Sequence, residues 1–414
     1  MAAEKPSEST PLRGLGNEEI SSRVASALRT SLFWLLPLIM SPCLLLIGKA
    51  SIGTERILVH WPISCAAAFA SIISGGTPEG GAAAYFPVMI LLLDCTPELT
   101  RSFGLCIQSL SMSMASIRIL VSRTPVDWTV IMIALPAAAI SQVTVLLIPG
   151  ESSPEERAFW PPFMAGPAVD VTFMIIMTTM AFISALLLWE HSQAAQMGRD
   201  VPGHNRVHGL CAEEWNIRRV VALIVVAACG GVLSGLTATG TNIVVYVLTV
   251  TCFDLSPKVA VPTTVLITAA LSITGACIIL WHDEQFDINV NMTSETVVEV
   301  GGIAIDPPCS LQKCDLVGFL MAAAPVVVWG APIGAEVMRR IPEAAVLLVI
   351  AVVALASCVG IFVHLEELHS ISRLLVSAVC GIIFSPGTVL LLRQHRHTLF
   401  GGPTDDRGHD LEKR

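Results

Sequence analysis

Ser74-Gly75-Gly76-Thr77-Pro78-Glu79-Gly80-Gly81 interrupts a long apolar run, Ile57 to Leu93, near its middle. Four glycines, a proline and a carboxylate cannot continue a helix. A second copy lies 160 residues on, Ser234-Gly235-Leu236-Thr237-Ala238-Thr239-Gly240-Thr241-Asn242. The register holds without a gap: Ser74, Gly75, Thr77, Gly80, Asp94, Pro97 and Ile107 meet Ser234, Gly235, Thr237, Gly240, Asp254, Pro257 and Ile267. An internal repeat with one interrupted apolar segment in each half is the sequence mark of a transporter's substrate site.

The chain is 53% hydrophobic and 14% charged, and its charges gather between apolar stretches of membrane-spanning length. A water-soluble core of this size would be cut by surface charge every few residues. The reading is therefore an all-α polytopic membrane protein. No series of alternating ten-residue strands suggests a β-barrel. The first thirty residues are polar, so no cleavable signal peptide is expected. The net charge of -9 sits in loops and tails, and nothing indicates a nucleic-acid partner. The twelve cysteines show no CxxC pair or Cys/His spacing, so neither a metal nor another cofactor is expected. Most are read as small buried hydrophobes. Cys309 and Cys314 share one polar loop and could pair if that loop is extracytoplasmic.

About ten full spans and two half-helices are expected. The full spans are Ser31–Gly48, Ile57–Ile73, Ser102–Leu120, Asp127–Ile148, Val171–Trp189, Ile217–Leu233, Ala260–Trp281, Leu316–Ala335, Ala344–His364 and Ile371–Leu392. Each suffices for a hydrocarbon core of about 30 Å at about 1.5 Å per residue. The half-helices, Ala82–Leu93 and Ile243–Phe253, do not. Residues 1–30 read as a disordered cytoplasmic tail, 31–190 as repeat 1, and 191–216 as a cytoplasmic linker. Residues 217–392 read as repeat 2 with an extracytoplasmic insertion at 282–315, and 393–414 as a cytoplasmic tail. With the N-terminus inside, eighteen Lys and Arg fall on the cytoplasmic side against six outside, so both termini are expected in the cytoplasm. Asn291-Met292-Thr293, a glycosylation acceptor pattern, then lies outside. A single broken span from Ile57 to Leu93 would make the halves parallel; otherwise an odd number of crossings separates Ile57 from Ile217, whether the half-helix crosses or re-enters. The two repeats are then inverted around one central site.

Each half-helix starts with amide N–H groups that lack intrahelical partners and carry partial positive charge. An anion can sit there without a lysine or arginine, and no cation stands at the centre of any span. The small residues Gly80, Gly81 and Gly240 allow close approach, and Thr77, Thr237, Thr239, Thr241 and Asn242 add donors. The alternative is tight helix packing by Gly and Thr, as in any membrane bundle; two breaks in register favour a site. Glu79 is the one carboxylate placed well inside the membrane region. A carboxyl removed from water favours its neutral form, so Glu79 could carry a coupling proton, or it could accept hydrogen bonds from the amides that follow. Gln108 and its repeat partner Thr268 lie on the helices after the half-helices. Gln108 is costly to bury and is read as a site residue, while Ser and Thr on these helices can bond their own carbonyls. Asp94 and Asp254, each three residues before a proline, mark capped turns.

The blocks Ser74–Ser113 and Ser234–Ile273, with Gly330-Ala331-Pro332-Ile333-Gly334-Ala335 before Arg339-Arg340-Ile341-Pro342, resemble the sulfite exporter TauE/SafE family. It is also called the toluene sulfonate uptake permease family. The resemblance covers about Trp34 to Leu392. It implies a secondary transporter of sulfur-containing or carboxylate anions such as sulfite, sulfonates and sulfoacetate. Glu79 in the first copy and Thr241-Asn242 in the second depart from the family's glycine-rich pattern. The expected partners are a small anion, a coupling proton and the lipid bilayer of a plasma membrane or endomembrane. An anion channel on the same scaffold and a polytopic receptor are the rival classes; a receptor does not need two half-sites. No nucleophile–base constellation, phosphate loop or metal cluster suggests an enzyme, so no catalytic residue is expected.

The basic-residue bias yields a test of topology. Impermeant thiol labelling after reduction, with Cys309 and Cys314 as the accessible cysteines, is expected to reach them in intact cells. Labelling only after permeabilisation would reverse the orientation.

Overall fold

The computed structural model describes residues 13–81, 85, 88–89, 97–147, 166–196, 215–282, 298–300, 303–305 and 316–367. The helices are α1 (Arg13–Ile52), α2 (Thr54–Val59), α3 (Trp61–Gly76), α4 (Pro97–Val121), α5 (Trp128–Leu147) and α6 (Gly166–Gln196). They continue as α7 (Ile217–Thr237), α8 (Thr241–Thr251), α9 (Pro257–His282), α10 (Leu316–Arg340) and α11 (Glu343–Glu367). Among the described residues, six stretches, within α1, α4, α5, α7, α9 and α10, are long and apolar enough to cross a membrane. Large apolar side chains such as Phe69, Met132, Ile140 and Leu355 face outward, as a bilayer solvent permits.

Three expectations are revised. Helix α1 begins at Arg13, well inside the stretch read as a disordered tail. The run Ile57–Ile73 is divided at His60 into α2 and α3, because Pro62 favours a helix start. The His60 ring fills that corner, edge-on to Phe319 at 4.7 Å. The insertion after α9 carries a two-stranded antiparallel ribbon, β1 (Val298–Val300) and β2 (Ile303–Ile305), a small strand element beside the helices of the described residues. The expected span Ile371–Leu392, most of the half-helix Ala82–Leu93, Asp94, Asn291, Cys309 and Cys314 lie outside the described residues.

Local signals explain the helix ends. Asp127 Oδ1 accepts from the amides of Thr129 and Val130 and so caps α5. Ser256 Oγ accepts from the amide of Lys258 at the start of α9. That cap falls to Ser256, because Asp254 takes φ +55° in the turn before it.

Helix α3 packs along α10, and α7 along α5. Helices α4 and α9 pack on each other, α4 also meets α10, and α9 also meets α5. Exchanging α3 for α7, α4 for α9 and α5 for α10 returns the same pairings. Glycine makes the two long contacts possible, since lipid supplies no hydrophobic drive and close packing must replace it. A Cβ on Gly75 would overlap the Ala331 carbonyl, and one on Gly334 the Ile72 carbonyl. Across the other pair, a Cβ on Gly231 would overlap the Ala138 carbonyl. One on the repeat-related Gly235 would come within 2.9 Å of Val145.

A buried pair, Arg118 and Glu336, joined by the exposed Arg339 and Arg340, ties three helices at one end. Arg118 on α4 donates from Nη2 to Glu336 on α10 at 2.6 Å. Arg339 and Arg340 also donate to that carboxylate. The Arg118 guanidinium lies 5.5 Å from the Phe33 ring and 5.7 Å from the Trp34 ring of α1, a cation–π setting. Removing the carboxylate strands a buried cation. Glu336→Ala is therefore expected to destabilise by about 3–5 kcal/mol, read as a fall in melting temperature in detergent. Arg118→Met with Glu336→Met should recover most of that loss; if it melts no higher than Glu336→Ala, the cluster is not what ties these helices.

Candidate functional site

The two interruptions meet in the interior. Helix α3 ends at Gly76, and Thr77 follows in extended conformation, its amide donating to the Ile73 carbonyl at 2.9 Å. Gly80 takes φ +72°, a region natural to glycine. In the second copy α7 ends at Thr237, Ala238 takes φ +61°, and Gly240 takes φ +130° immediately before α8. Irregular backbone inside a membrane has to be satisfied by protein groups. Thr239 Oγ1 supplies one such bond by donating to the Glu79 carbonyl at 2.9 Å. Residues 79 and 239 are repeat-related, so the two copies touch at equivalent positions. Asn242 Oδ1 accepts from the Gly240 amide at 3.2 Å. Thr237 Oγ1 donates to the carbonyl of Thr239 at 2.8 Å.

Gly80 faces the second copy and α4. A Cβ there would lie 3.0 Å from Asn242 Nδ2, 3.4 Å from Met112 Cε and 3.5 Å from Gln108 Nε2. Gln108 is wholly buried, and its Oε1 accepts from Ser272 Oγ of α9 at 3.3 Å. The amide nitrogens of Asn242 and Gln108 thus converge on Gly80 from two helices. Among the described residues, Thr77 Oγ1, Asn242 Nδ2, Thr241 Oγ1 and both oxygens of Glu79 are buried without a hydrogen-bond partner. Buried polar groups are ordinarily paired, so this concentration of unpaired ones is a functional signature.

The Glu79 side chain is wholly buried, and its two oxygens have no hydrogen-bond partner among the described residues, while its main-chain carbonyl is held by Thr239.

The sequence-derived residues divide accordingly. Thr77, Glu79, Gly80, Gln108, Thr239 and Asn242 come together. Thr237 and Gly240 shape the second turn. Gly81 packs beneath the ring of Tyr85, where a Cβ would meet Cε2 at 2.5 Å. Thr241 packs against Gly230 of α7, whose Cβ would meet its Cα at 2.7 Å. Thr268 donates to its own helix, at the Thr264 carbonyl, and nothing connects it to the cluster. Three buried polar residues escaped the sequence reading: Tyr85, Tyr246 and Gln142, whose hydroxyls or amide atoms have no partner among the described residues. The argument applied to Gln108, a glutamine inside an apolar span, would have found Gln142.

A cavity of about 760 Å³, including its part open to solvent, reaches the first copy. Gly75 and Gly76 form its buried floor, and the exposed Lys258 and Arg339 stand at its rim. Pro257 separates it from a second cavity of about 660 Å³ lined by Glu190, His191, Asp254 and Glu343.

Interrupted helices that meet at a buried polar cluster, inside a bundle with an apolar exterior, have the architecture of a membrane transporter. The sulfite exporter TauE/SafE family model matches residues 63–363, and the chain belongs to that family of transporters. The match takes in both interrupted copies and starts inside α3, leaving α1 outside it. No curated protein and no solved structure matches the chain.

Gly80 isolates the cluster from the packing around it. Gly80→Ala is expected to weaken anion uptake at least about tenfold, because its methyl group displaces the amide of Asn242. The positive φ adds only about 1 kcal/mol of destabilisation. Gly240→Val should instead lose folded protein, since φ is +130° and its Cβ would lie 2.7 Å from Leu233. Uptake per folded molecule in proteoliposomes, beside size-exclusion yield, separates the two effects; full uptake in folded Gly80→Ala would exclude Gly80 from the site.

Proposed function

We propose that the chain is a secondary transporter of small sulfur-containing or organic anions, of sulfite, sulfonate or sulfoacetate type. The anion is held between the two interruptions near the bilayer midplane. The observation that carries this reading is the convergence of Asn242 and Gln108 amides on Gly80, at the start of α8, amid buried donors with no partner. Neutral amides, hydroxyls and a helix N-terminus hold an anion without a fixed cation. Binding stays weak enough to allow release. Thr77 and Asn242 offer side-chain donors, Gly80 gives access, and Thr239 keeps the copies in contact. Gly81, Thr237, Gly240 and Thr241 hold the backbone in shape around them. The cavity rimmed by Lys258 and Arg339 is the route by which an anion reaches the first copy from the face that carries the basic residues. We assign that face to the cytoplasm, with both termini on it.

The halves are read as inverted repeats. The odd number of crossings between them and the exchange-invariant helix pairings support this. Such a frame lets one half rock against the other around a fixed site.

Glu79 is proposed as the proton-coupling group. It is buried beside the site, and an anion close by in a poorly solvated setting favours its protonation. Proton and anion binding then strengthen each other. Tyr246 lies within electrostatic reach of both Glu79 and Glu343, and Glu343 lines the acidic cavity.

Uptake of radiolabelled sulfite, sulfate, thiosulfate, sulfoacetate and small carboxylates into proteoliposomes, with and without a pH gradient, tests the substrate class. Saturable uptake of a sulfur oxyanion is expected; unsaturable conductance would make the protein a channel. Glu79→Gln keeps the shape of the protonated form, so it should bind anion as wild type does but lose the response of uptake to a pH gradient. Gradient-driven accumulation at wild-type level in Glu79→Gln would reduce Glu79 to a structural cap.

A further inference from the structure

The chain contains two tyrosines, Tyr85 and Tyr246. One follows each glycine break, five residues after Gly80 and six after Gly240. They are 1% and 0% exposed, and neither hydroxyl has a hydrogen-bond partner among the described residues. A buried phenol without a partner costs free energy that phenylalanine would not, and Phe103 fills comparable space against Tyr85. Packing therefore explains the two rings and leaves the two oxygens unexplained.

Both oxygens are carried toward the breaks. Long helical side chains lean back toward the helix N-terminus. The Tyr85 amide donates to the Gly81 carbonyl at 2.9 Å, one helical turn back. Its ring lies over Gly81, whose Cβ would be 3.3 Å from the hydroxyl oxygen. Edge contact with Phe103 at 5.6 Å fixes that ring. Tyr246 stands one turn after Asn242 on the same face of α8, within electrostatic reach of Glu79.

We propose that Tyr85 and Tyr246 determine specificity, each donating one neutral O–H to an oxygen of the bound anion. With the amides of Asn242 and Gln108 beside Gly80, they make a set of donors spread over more than one plane, which suits three oxygens diverging from one pyramidal or tetrahedral centre, as in sulfite or a sulfonate. The two coplanar oxygens of a carboxylate leave part of that set unmet. The inference rests on the anion site proposed above.

The test uses the purified full-length protein and its variants Tyr85→Phe, Tyr246→Phe and the double variant. Two readouts are taken: melting temperature without anion, and binding of sulfite, kept anaerobic, against acetate. Without anion each variant should melt at or above the wild-type temperature, because an unpaired hydroxyl has been removed. Sulfite affinity should fall about tenfold to hundredfold in each single variant, and acetate affinity by less. A lower melting temperature without anion would give the hydroxyls structural partners and overturn the proposal. Unchanged sulfite affinity would overturn it while leaving the anion site standing. Wild-type protein that binds neither anion would defeat the site reading itself, and this inference with it.

Discussion

Non-helical backbone in the middle of a membrane protein has to find its hydrogen bonds within the protein, and this constraint organises the structure. The bond from Thr239 Oγ1 to the Glu79 carbonyl joins the two breaks at repeat-related positions. Asn242 adds an acceptor for the Gly240 amide. The first bond holds the breaks together and the second satisfies the turn of the second copy from within, while α4 and α9 pack against each other. The partnering is incomplete, because Thr77, Glu79, Thr241 and the Asn242 nitrogen keep unmet capacity in a dry setting. Unpaired buried groups cost stability, and the proposed anion site would be what offsets that cost.

Close helix contact keeps that arrangement in place. Gly75 and Gly334 bring α3 against α10, and Gly231 and Gly235 bring α7 against α5. These helices deliver the chain to the two breaks, so a change in either crossing would move a break. The Arg118–Glu336 pair fastens α4 to α10 near one end of the bundle. The cavity next to Arg339 opens beside this fastening. The proposed anion route and the helix clamp therefore share a neighbourhood, and Arg339 borders both.

Much of the frame was legible in the sequence because lipid imposes simple patterns. Long apolar runs marked α4, α5, α7, α9 and α10, and the register between Ser74 and Ser234 marked the breaks. The division at His60 was missed because hydropathy passes through the corner without change, and only Pro62 signalled it. The start of α1 at Arg13 was missed because a polar helix resembles a tail by composition. In the site, Gly80, Gln108, Thr239 and Asn242 were legible from motif position and burial cost. Thr268 bonds its own helix, and repeat equivalence with Gln108 does not by itself say whether a hydroxyl does that or faces a cavity. The roles of Gly81 and Thr241 depend on which side of a turn they face, and the tyrosines look like ordinary interior aromatics until their unpaired oxygens are seen.

The central claim is that an anion sits between the two breaks. Anomalous scattering from selenite, the selenium counterpart of sulfite, measures this directly in crystals of the wild-type protein. The account predicts one selenium peak within hydrogen-bonding reach of Asn242 and Thr77, beside Gly80, that disappears when sulfite is added in excess. A peak confined to the cavity rim at Lys258 and Arg339, with none between the breaks, would contradict it.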